Sequence, residues 1–398
     1  MRILFVSKII IMAMQRRTWL KTIALTSAGS VIARNLDFTQ PRISTSPNTS
    51  RFLEWENSPY KDRIPALKAR LLANENPYGP SEAAKEAIID SVSMGNRYGH
   101  KQAQELIEML AAKEGVTPDH IMLGPGSSDL LEKVGITHFL EGGNIVAADP
   151  TYMSIINTAK SFNAEWKAVK VKENWEYDLD AMKAAIDDKT KLVYICNPNN
   201  PTATITPADK IWKFCEEVAD KKPVFVDEAY LEFMEPEEQK SMVGLVNKGK
   251  NVIISRTFSK VYGMAGIRVG YIVALPSTLE KIEHMVRSNM GLNITALHAA
   301  IASLKDENFV SDSIAKNAEC RSYVCDELSS MNIKYVPSQT SFILFPIAMD
   351  GKPFLKEMFD LQVGVRAFQI FDQSYCRVSM GTMTEMKMFM EALKKVIA

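Results

Sequence analysis

The sequence has few cysteines and no excess of charge of either sign. Its 398 residues include five cysteines and five scattered histidines, and the absence of any CxxC spacing argues against a disulfide scaffold and a metal site. Lysine plus arginine and aspartate plus glutamate both number 47, whereas a broad nucleic-acid surface needs a basic excess. No apolar run reaches the roughly 18 residues of a membrane-spanning helix. With 46% hydrophobic residues, the chain is expected to be a globular enzyme or binding protein with no nucleic-acid partner.

The first 33 residues have the features of an export signal. Arg16 and Arg17 precede a mildly apolar stretch of small residues that ends at Ala33, and this order resembles a bacterial twin-arginine signal with its cleavage site. We therefore predict a signal segment over residues 1–33 and an N-terminal arm or linker over residues 34–80. The protein is then expected to be periplasmic, or cytoplasmic if the signal is not used, with no stable membrane association after signal removal.

From residue 81 onward, strand and helix patterns alternate. Short apolar runs predict strands at 144–148, 192–196, 224–226 and 252–255, with amphipathic helices between them. This alternation indicates an α/β fold, a three-layer sandwich with a mainly parallel sheet, over a large domain at residues 81–285. Ligands bind such sheets beyond the carboxyl ends of the strands.

The pattern changes after about residue 285. A helix-rich stretch over 294–331 precedes predicted strands near 333–336, 342–345 and 375–379. This order predicts a smaller α+β domain over residues 286–398.

Capping residues predict the starts of two helices. Thr206 precedes Pro207, so Thr206 is expected to cap a helix that has the proline at its first position. Thr382 and Glu385 have the spacing of a capping box.

The strongest chemical motif is Ser255-Arg-Thr-Phe-Ser-Lys260, which follows a predicted buried strand. A lysine in this position can form an imine with a carbonyl cofactor. Thr257, Ser259 and Arg268 are then available to hold an anionic group. Most Ser-Lys pairs lie in surface loops, so this motif alone also fits a loop without function.

A second motif, Val224-Phe-Val-Asp227-Glu-Ala-Tyr230, places a carboxylate at the end of an apolar strand. A charge in such surroundings needs a partner. A protonated pyridine nitrogen would be one, and Tyr230 could hydrogen-bond a phenolate on the same ring. The alternative is a helix-capping aspartate next to a packing tyrosine.

Three further polar turns follow predicted strands. Two Asn-Pro steps make a rigid turn that can present Asn200 to a ligand. Gly126 and Ser127 open a predicted helix whose free N–H groups make an anion site, and Tyr152 is placed to stack on an aromatic ring. Each turn by itself could equally be only structural.

In their order and approximate spacing, these motifs resemble those of fold-type I pyridoxal-phosphate aminotransferases. Asn74-Glu-Asn-Pro-Tyr78-Gly and Asn96-Arg-Tyr98 narrow the resemblance to the histidinol-phosphate aminotransferase branch, over about residues 65–398. The resemblance implies pyridoxal 5'-phosphate as the cofactor. It also implies transfer of an amino group between an amino acid or histidinol phosphate and a 2-oxo acid such as 2-oxoglutarate.

The resemblance implies a role for each motif residue. Lys260 would bind the cofactor and shuttle the proton, and Asp227 would pair with the pyridinium nitrogen. Tyr230 and Asn200 would hydrogen-bond the phenolic oxygen, while Tyr152 would stack on the ring. The phosphate would be bound by Gly126, Ser127, Thr257, Ser259 and Arg268.

Substrate binding and assembly are also implied by the resemblance. Arg377 would grip the carboxylate or phosphate of the substrate, with Tyr78 and Arg366 nearby. Tyr98 would reach the cofactor phosphate of a neighbouring subunit, so the active unit is expected to be a homodimer.

Some features leave the reaction and the substrate open. Ala203 stands where the family usually has glycine, so the backbone there must avoid a positive φ or accept strain. An amino-acid decarboxylase or lyase on the same fold, and an aromatic amino-acid aminotransferase, are the alternatives. A ligand-sensing domain is disfavoured because no basic DNA-binding module precedes the fold.

Overall fold

Strands and helices alternate along most of the chain. The structure, a computed structural model, describes residues 51–53, 67–286 and 291–397. The predicted signal segment, residues 1–33, lies outside the described residues. The strands are β1 (Arg51–Leu53), β2 (Ala69–Arg70), β3 (Ile121–Gly124), β4 (Asn144–Asp149), β5 (Glu165–Lys170), β6 (Thr190–Cys196), β7 (Val224–Asp227), β8 (Val252–Thr257), β9 (Gly270–Val273), β10 (Phe342–Pro346), β11 (Val363–Gly364), β12 (Arg366–Ile370) and β13 (Gln373–Ser379).

The helices connect these strands and cover the sheets. They are α1 (Glu82–Ser91), α2 (His100–Glu114), α3 (Ser127–Phe139), α4 (Ser154–Ser161), α5 (Leu179–Ala184), α6 (Ala208–Val218), α7 (Val243–Asn247), α8 (Pro276–Met285), α9 (Ile294–Lys305), α10 (Glu307–Ser330), α11 (Gly351–Asp360) and α12 (Met383–Val396). Across the described ranges, no helix combines the length and the apolar character that crossing a membrane requires.

A seven-stranded sheet in the order β3-β9-β8-β7-β6-β4-β5 forms the centre of the fold. The adjacent strands β5, β4, β6, β7 and β8 run parallel to one another. β9 is antiparallel to both of its neighbours, β3 and β8. Successive residues of β6 enter different cores: Val193 lies in one and Tyr194 in the other. Because side chains alternate along a strand, both faces of the sheet are covered. The predicted three-layer α/β fold with a mainly parallel sheet is confirmed.

The carboxyl ends of these strands lie along one edge of the sheet. β4, β6, β7 and β8 are parallel neighbours that end at Asp149, Cys196, Asp227 and Thr257. β3 is antiparallel to β9, which is antiparallel to β8, so β3 runs in the same direction and its end at Gly124 shares that edge. The loops that carry the predicted site residues therefore leave the sheet side by side.

A four-stranded antiparallel sheet in the order β1-β12-β13-β10 lies toward the end of the chain. Its own core contains Phe345, Met358 and Phe389. The predicted strand at 333–336 is wrong, because only Val336 pairs, through an isolated bridge to Leu344.

Helix α9 contributes to the core of the seven-stranded sheet, whereas α10 contacts both cores, with Val310 and Ile314 against the larger one. Ala296 and Ala300 of α9 belong to the core of the seven-stranded sheet, whereas Val324 and Leu328 of α10 belong to the smaller core. The domain limits at 81–285 and 286–398 stay predictions.

One of the two predicted helix caps is confirmed. Thr382 Oγ1 accepts the backbone N–H of Glu385, whose carboxylate accepts the N–H of Thr382 at 2.8 Å. The predicted Thr206 cap is wrong, because α6 begins at Ala208 with Pro207 as its N-cap. The Thr206 hydroxyl instead accepts the backbone N–H of Tyr177 at 2.9 Å, a distant partner that the local pattern does not reveal.

Candidate active site

Asp227 is a buried carboxylate with three donors. Its side chain is at the end of β7 and the residue is 3% exposed. The Ser255 hydroxyl donates to Oδ1 at 2.7 Å, and the Tyr194 hydroxyl donates to Oδ2 at 3.3 Å. The N–H of Ala229 also donates to Oδ1. The helical turn that follows begins after Tyr230, so Asp227 does not cap it.

The pKa of Asp227 reflects a balance between burial and these donors. Burial has the largest effect and raises the pKa of Asp227, although the hydrogen bonds from Ser255 and Tyr194 and the charge of Lys260 act in the opposite direction. The hydrogen bonds orient the carboxylate. Because it is buried at the end of an apolar strand, a cationic partner would stabilise it.

Lys260 lies in the loop after β8 and points toward the segment that follows β2. Its Nζ donates to the carbonyl of Asn74 at 3.1 Å and to that of Ala73 at 3.4 Å. Burial, and after it the positive charge of Arg377, lowers the pKa of Lys260 to about 8. Near physiological pH, a much larger fraction of this amine is neutral than of an ordinary lysine, and the neutral form is the one that attacks a carbonyl group.

Tyr230 lies beside the lysine. Its ring centroid is 5.4 Å from Lys260 Nζ, and the residue is 3% exposed. Its hydroxyl accepts a hydrogen bond from Asn74 Nδ2 at 3.0 Å. Burial raises the pKa of Tyr230, so the phenol keeps its proton.

Asn200 and Arg377 are brought together from distant parts of the chain. Arg377 Nη1 donates to Asn200 Oδ1 at 2.6 Å. In the same turn Ala203 has φ 66° and is fully buried. The backbone at Ala203 therefore does not avoid a positive φ and accepts the strain of a left-handed conformation without glycine.

The start of α3 lies against the guanidinium of Arg268. Gly126 is the N-cap with φ 86°, and no side chain in the described part of the chain caps this helix. A Cβ on Gly126 would lie 2.2 Å from Nη2 of Arg268, so only glycine lets the guanidinium lie against the helix start. Ser127 is the first helical residue. Free N–H groups and a guanidinium at one place form an anion site.

Thr257 ends β8, and Ser259 and Tyr152 lie in the loops that follow β8 and β4. Thr257 and Ser259 are buried, and the Ser259 N–H donates to Thr257 Oγ1 at 3.1 Å. The Tyr152 hydroxyl lies 3.5 Å from Ser128 Oγ at the start of α3, and burial raises its pKa.

Arg377 and Arg366 form a cationic pair on adjacent strands. They are opposite each other in the β12–β13 register, and both donate to the carbonyl of Leu72, at 3.1 and 3.0 Å. Burial, with a contribution from the positive charge of Arg366, lowers the pKa of Arg377 to about 10. Buried Nε of Arg377 has no hydrogen-bond partner among the described residues, and such an orphaned donor fits an anionic ligand.

Among the described residues, Tyr78 and Tyr98 share no hydrogen bond or ring contact with these groups. Lys316 Nζ is 4.7 Å from the Tyr78 ring centroid, and burial raises the pKa of Tyr78 to about 12. Tyr98 is 78% exposed. The described contacts of both side chains do not include Lys260.

Known proteins resemble this chain in sequence. A model of the family Aminotransferase class I and II matches residues 68–393. The histidinol-phosphate aminotransferase of Moorella thermoacetica is 37% identical over 332 residues, which cover 83% of this chain and 85% of that protein. Histidinol-phosphate aminotransferase 2 of Haemophilus influenzae (strain 86-028NP) is 37% identical over 331 residues, covering 82% and 89% of the two chains.

A solved structure shows the same fold. The histidinol-phosphate aminotransferase of Sinorhizobium meliloti, in complex with pyridoxal-5'-phosphate, matches with a TM-score of 0.78 and 25% identity. The match covers 85% of this chain and 93% of that one. The chain belongs to the class I and II aminotransferases.

As a class I and II aminotransferase, the protein is an enzyme that uses pyridoxal 5'-phosphate. The residues present fit this cofactor. The start of α3 with Arg268 suits its phosphate, Asp227 suits its ring nitrogen, and Lys260 suits its aldehyde. The close approach of Arg268 to Gly126 and the burial of the Asp227 carboxylate are the structural observations that support the fit.

Sequence reasoning did not identify Asn74 and Ser379 as site residues. Asn74 lies in the motif that carries the resemblance, but its left-handed φ of 52° and its contact with Tyr230 are not visible in the sequence. Ser379 lies two positions after Arg377 on β13. The alternation of side chains along a strand is the signal that could have found it.

The pKa of Lys260 predicts how the cofactor-free protein reacts with pyridoxal 5'-phosphate. The rate, followed by absorbance, should rise with pH through a midpoint of about 8, because the neutral amine is the nucleophile. Arg377→Met should move the midpoint to higher pH, since a positive neighbour is removed. Lys260→Ala should give no absorbance change. A midpoint near 10.5, the ordinary lysine value, would contradict the burial argument.

Proposed function

We propose that this aminotransferase transfers an amino group between histidinol phosphate and a 2-oxo acid such as 2-oxoglutarate. The observation that carries the proposal is the convergence of Lys260, Asp227 and Tyr230 next to the Arg366–Arg377 pair. A buried amine and a buried carboxylate serve the cofactor, and the two guanidinium groups serve an anionic substrate. Relatives named histidinol-phosphate aminotransferases support the choice of donor.

Each buried group has one task in this proposal. Pyridoxal 5'-phosphate, when bound, supplies a ring that accepts electrons from the substrate carbon. Asp227 holds the ring nitrogen protonated. Lys260 would bind the aldehyde, and its free amine would move the proton on the substrate carbon. Tyr230 and Asn200 hydrogen-bond the phenolic oxygen.

The remaining residues bind and orient. Tyr152 stacks on the ring, and Arg268 holds the phosphate at the start of α3, together with Gly126, Ser127, Thr257 and Ser259. Arg377 binds the anionic end of the substrate, because its Nε has no partner among the described residues. Tyr78 and Arg366 border the same substrate end.

A panel of amino donors with 2-oxoglutarate tests this proposal. Among histidinol phosphate, phenylalanine, tyrosine and aspartate, we expect histidinol phosphate to give the highest kcat/KM. After reaction with the amino donor alone, the cofactor should be recovered in its aminated form. Arg377→Ala should lower kcat/KM for histidinol phosphate by about 100-fold, since hydrogen bonds to charged groups contribute about 1.5–3 kcal/mol each.

Arg377→Lys is the matched control, because it keeps the charge but loses the fork of donors. Its loss should be smaller than that of Arg377→Ala. Release of CO₂ would favour the decarboxylase alternative, and preference for phenylalanine or tyrosine would favour an aromatic amino-acid aminotransferase. Unchanged kinetics in Arg377→Ala would remove this arginine from the site.

We further propose a homodimer in which the active sites are shared. Tyr98 is a large aromatic side chain that is 78% exposed, and Ile89 and Val92 nearby in the chain are 71% and 61% exposed. Exposed apolar residues grouped in this way indicate an interface. Tyr98 would complete the phosphate site of the partner subunit.

Mixed dimers test the shared site. Tyr98→Ala should weaken cofactor binding and Lys260→Ala should abolish activity. Mixing the two variants under subunit exchange should restore activity in one site of each heterodimer, because that site then contains Lys260 from one chain and Tyr98 from the other. If a verified heterodimer is no more active than the Tyr98→Ala protein, the active sites are not shared between subunits.

We also propose that the protein is exported to the periplasm. The support is the order of Arg16, Arg17, the apolar stretch and Ala33. Export of a protein with a bound cofactor requires that it folds before transport, and the twin-arginine route carries folded proteins.

The arginine pair provides the test for export. In a bacterial host with the twin-arginine system, Arg16→Lys combined with Arg17→Lys should keep the protein in the cytoplasmic fraction at full-length mass. Arg34→Lys, which lies just beyond the expected cleavage site, is the control and should be exported normally. Equal distribution of both variants between the fractions would exclude this route.

A further inference from the structure

Asn74 has an unusual backbone conformation in a buried place. It lies between β2 and α1, is 2% exposed, and has φ 52°. Residues other than glycine rarely adopt a positive φ, although asparagine tolerates it better than most. Such strain at a buried position calls for contacts that maintain it.

The hydrogen bonds of Asn74 supply these contacts. Its side-chain Nδ2 donates to the Tyr230 hydroxyl at 3.0 Å, and its backbone carbonyl accepts from Lys260 Nζ at 3.1 Å. Its backbone N–H donates to Ser379 Oγ at 2.8 Å, and Ser379 Oγ donates back to Oδ1 at 2.8 Å. Asn74 thus contacts two residues of the proposed catalytic set at once.

Ser379 determines which way the amide of Asn74 points. The serine oxygen accepts the backbone N–H, and its own hydrogen goes to Oδ1. With the amide reversed, this hydrogen would face an N–H group instead of an acceptor. The orientation with Nδ2 toward Tyr230 is therefore the one in which both groups are satisfied.

The amide in turn determines the direction of the hydrogen bond at Tyr230. Because Nδ2 can only donate, the phenol oxygen of Tyr230 is an acceptor in this contact. The Tyr230 proton is not used there. It remains available for donation to a second acceptor, such as the phenolic oxygen of the cofactor.

The same contacts connect the substrate end to the cofactor end. Ser379 lies two residues after Arg377 on β13, so both side chains are on one face of that strand. Arg377 reaches Asn200, while Ser379 reaches Asn74. One strand therefore contacts Asn200 directly and Tyr230 through Asn74.

We propose that Asn74, oriented by Ser379, is a positioning residue that directs the Tyr230 proton toward the cofactor and holds Lys260 through its backbone carbonyl. The inference rests on the proposed roles of Tyr230 and Lys260. It adds to them a residue that acts through its neighbours without contacting the reacting atoms.

Spectroscopic titration of the holoenzyme tests this role. The visible band of the bound cofactor changes as the nitrogen that it shares with Lys260 loses its proton. A hydrogen bond donated to the phenolic oxygen favours the deprotonated form. Asn74→Gly keeps the left-handed backbone but removes the amide, so it should raise the pKa of the band by up to about one unit.

Two more variants sharpen the result. Asn74→Asp should raise the pKa further, because a carboxylate accepts the Tyr230 proton and adds negative charge. In a Tyr230→Phe background, Asn74→Gly should cause no additional shift, since its effect passes through the Tyr230 hydroxyl. Other charged and titratable groups also influence Lys260 or Tyr230, and none of them is changed in the Asn74 variants. They are Arg377, Arg268, Asp227, Glu75, Tyr152 and Cys196.

Asn76→Asp is the matched control. Asn76 lies in the same segment, but its amide donates to the Val261 carbonyl and the Ser313 hydroxyl. It should leave the pKa of the band unchanged. If Asn74→Asp does not fold, Ser379→Ala replaces it and should shift the pKa in the same direction by a smaller amount.

The outcomes separate this inference from the proposed function. Two results would overturn the inference alone. The first is a band with the same pKa in Asn74→Gly as in the wild-type protein. The second is a pKa shift from Asn74→Gly that is equally large in the Tyr230→Phe background. A cofactor-saturated wild-type protein without any band would overturn the proposed role of Lys260 and the inference with it.

Discussion

The buried carboxylate of Asp227 imposes the main constraint on the site. A carboxylate at the end of an apolar strand is costly unless hydrogen bonds and a cation compensate it. Ser255 and Tyr194 supply hydrogen bonds, but burial still raises the pKa of the acid despite the charge of Lys260. A pyridinium group would add a further positive partner for this carboxylate. The chemistry therefore depends on holding one acid and one amine in the same apolar layer.

The fold supplies this arrangement through parallel strands. Because β7 and β8 are adjacent and parallel, Asp227 and the loop of Lys260 leave the sheet at the same edge. β3 runs in the same direction and brings the start of α3, with Gly126, to that edge. The antiparallel sheet contributes Arg377 and Ser379 from β13. Cofactor and substrate groups thus come from different sheets, and the segment around Asn74 lies between them and contacts both.

Much of the fold and site could be predicted from the sequence because strong local patterns mark them. Asp227 and Lys260 follow apolar runs directly, and the capping box at Thr382 is a local signal. Contacts between distant residues could not be predicted in this way. Asn74 and Ser379 are 305 positions apart, and the hydroxyl of Thr206 binds Tyr177 instead of capping a helix. The strand expected at 333–336 failed for a related reason, since its apolar residues find only one bridge partner.

The central claim is that Asp227 keeps the ring nitrogen of the cofactor protonated. The most direct measurement is the ¹⁵N chemical shift of pyridoxal 5'-phosphate labelled at the ring nitrogen and bound to the protein. We predict the shift of a protonated pyridinium in the wild-type protein and that of a neutral pyridine in Asp227→Ala. A neutral pyridine in the wild-type protein, with the cofactor fully bound, would contradict the account.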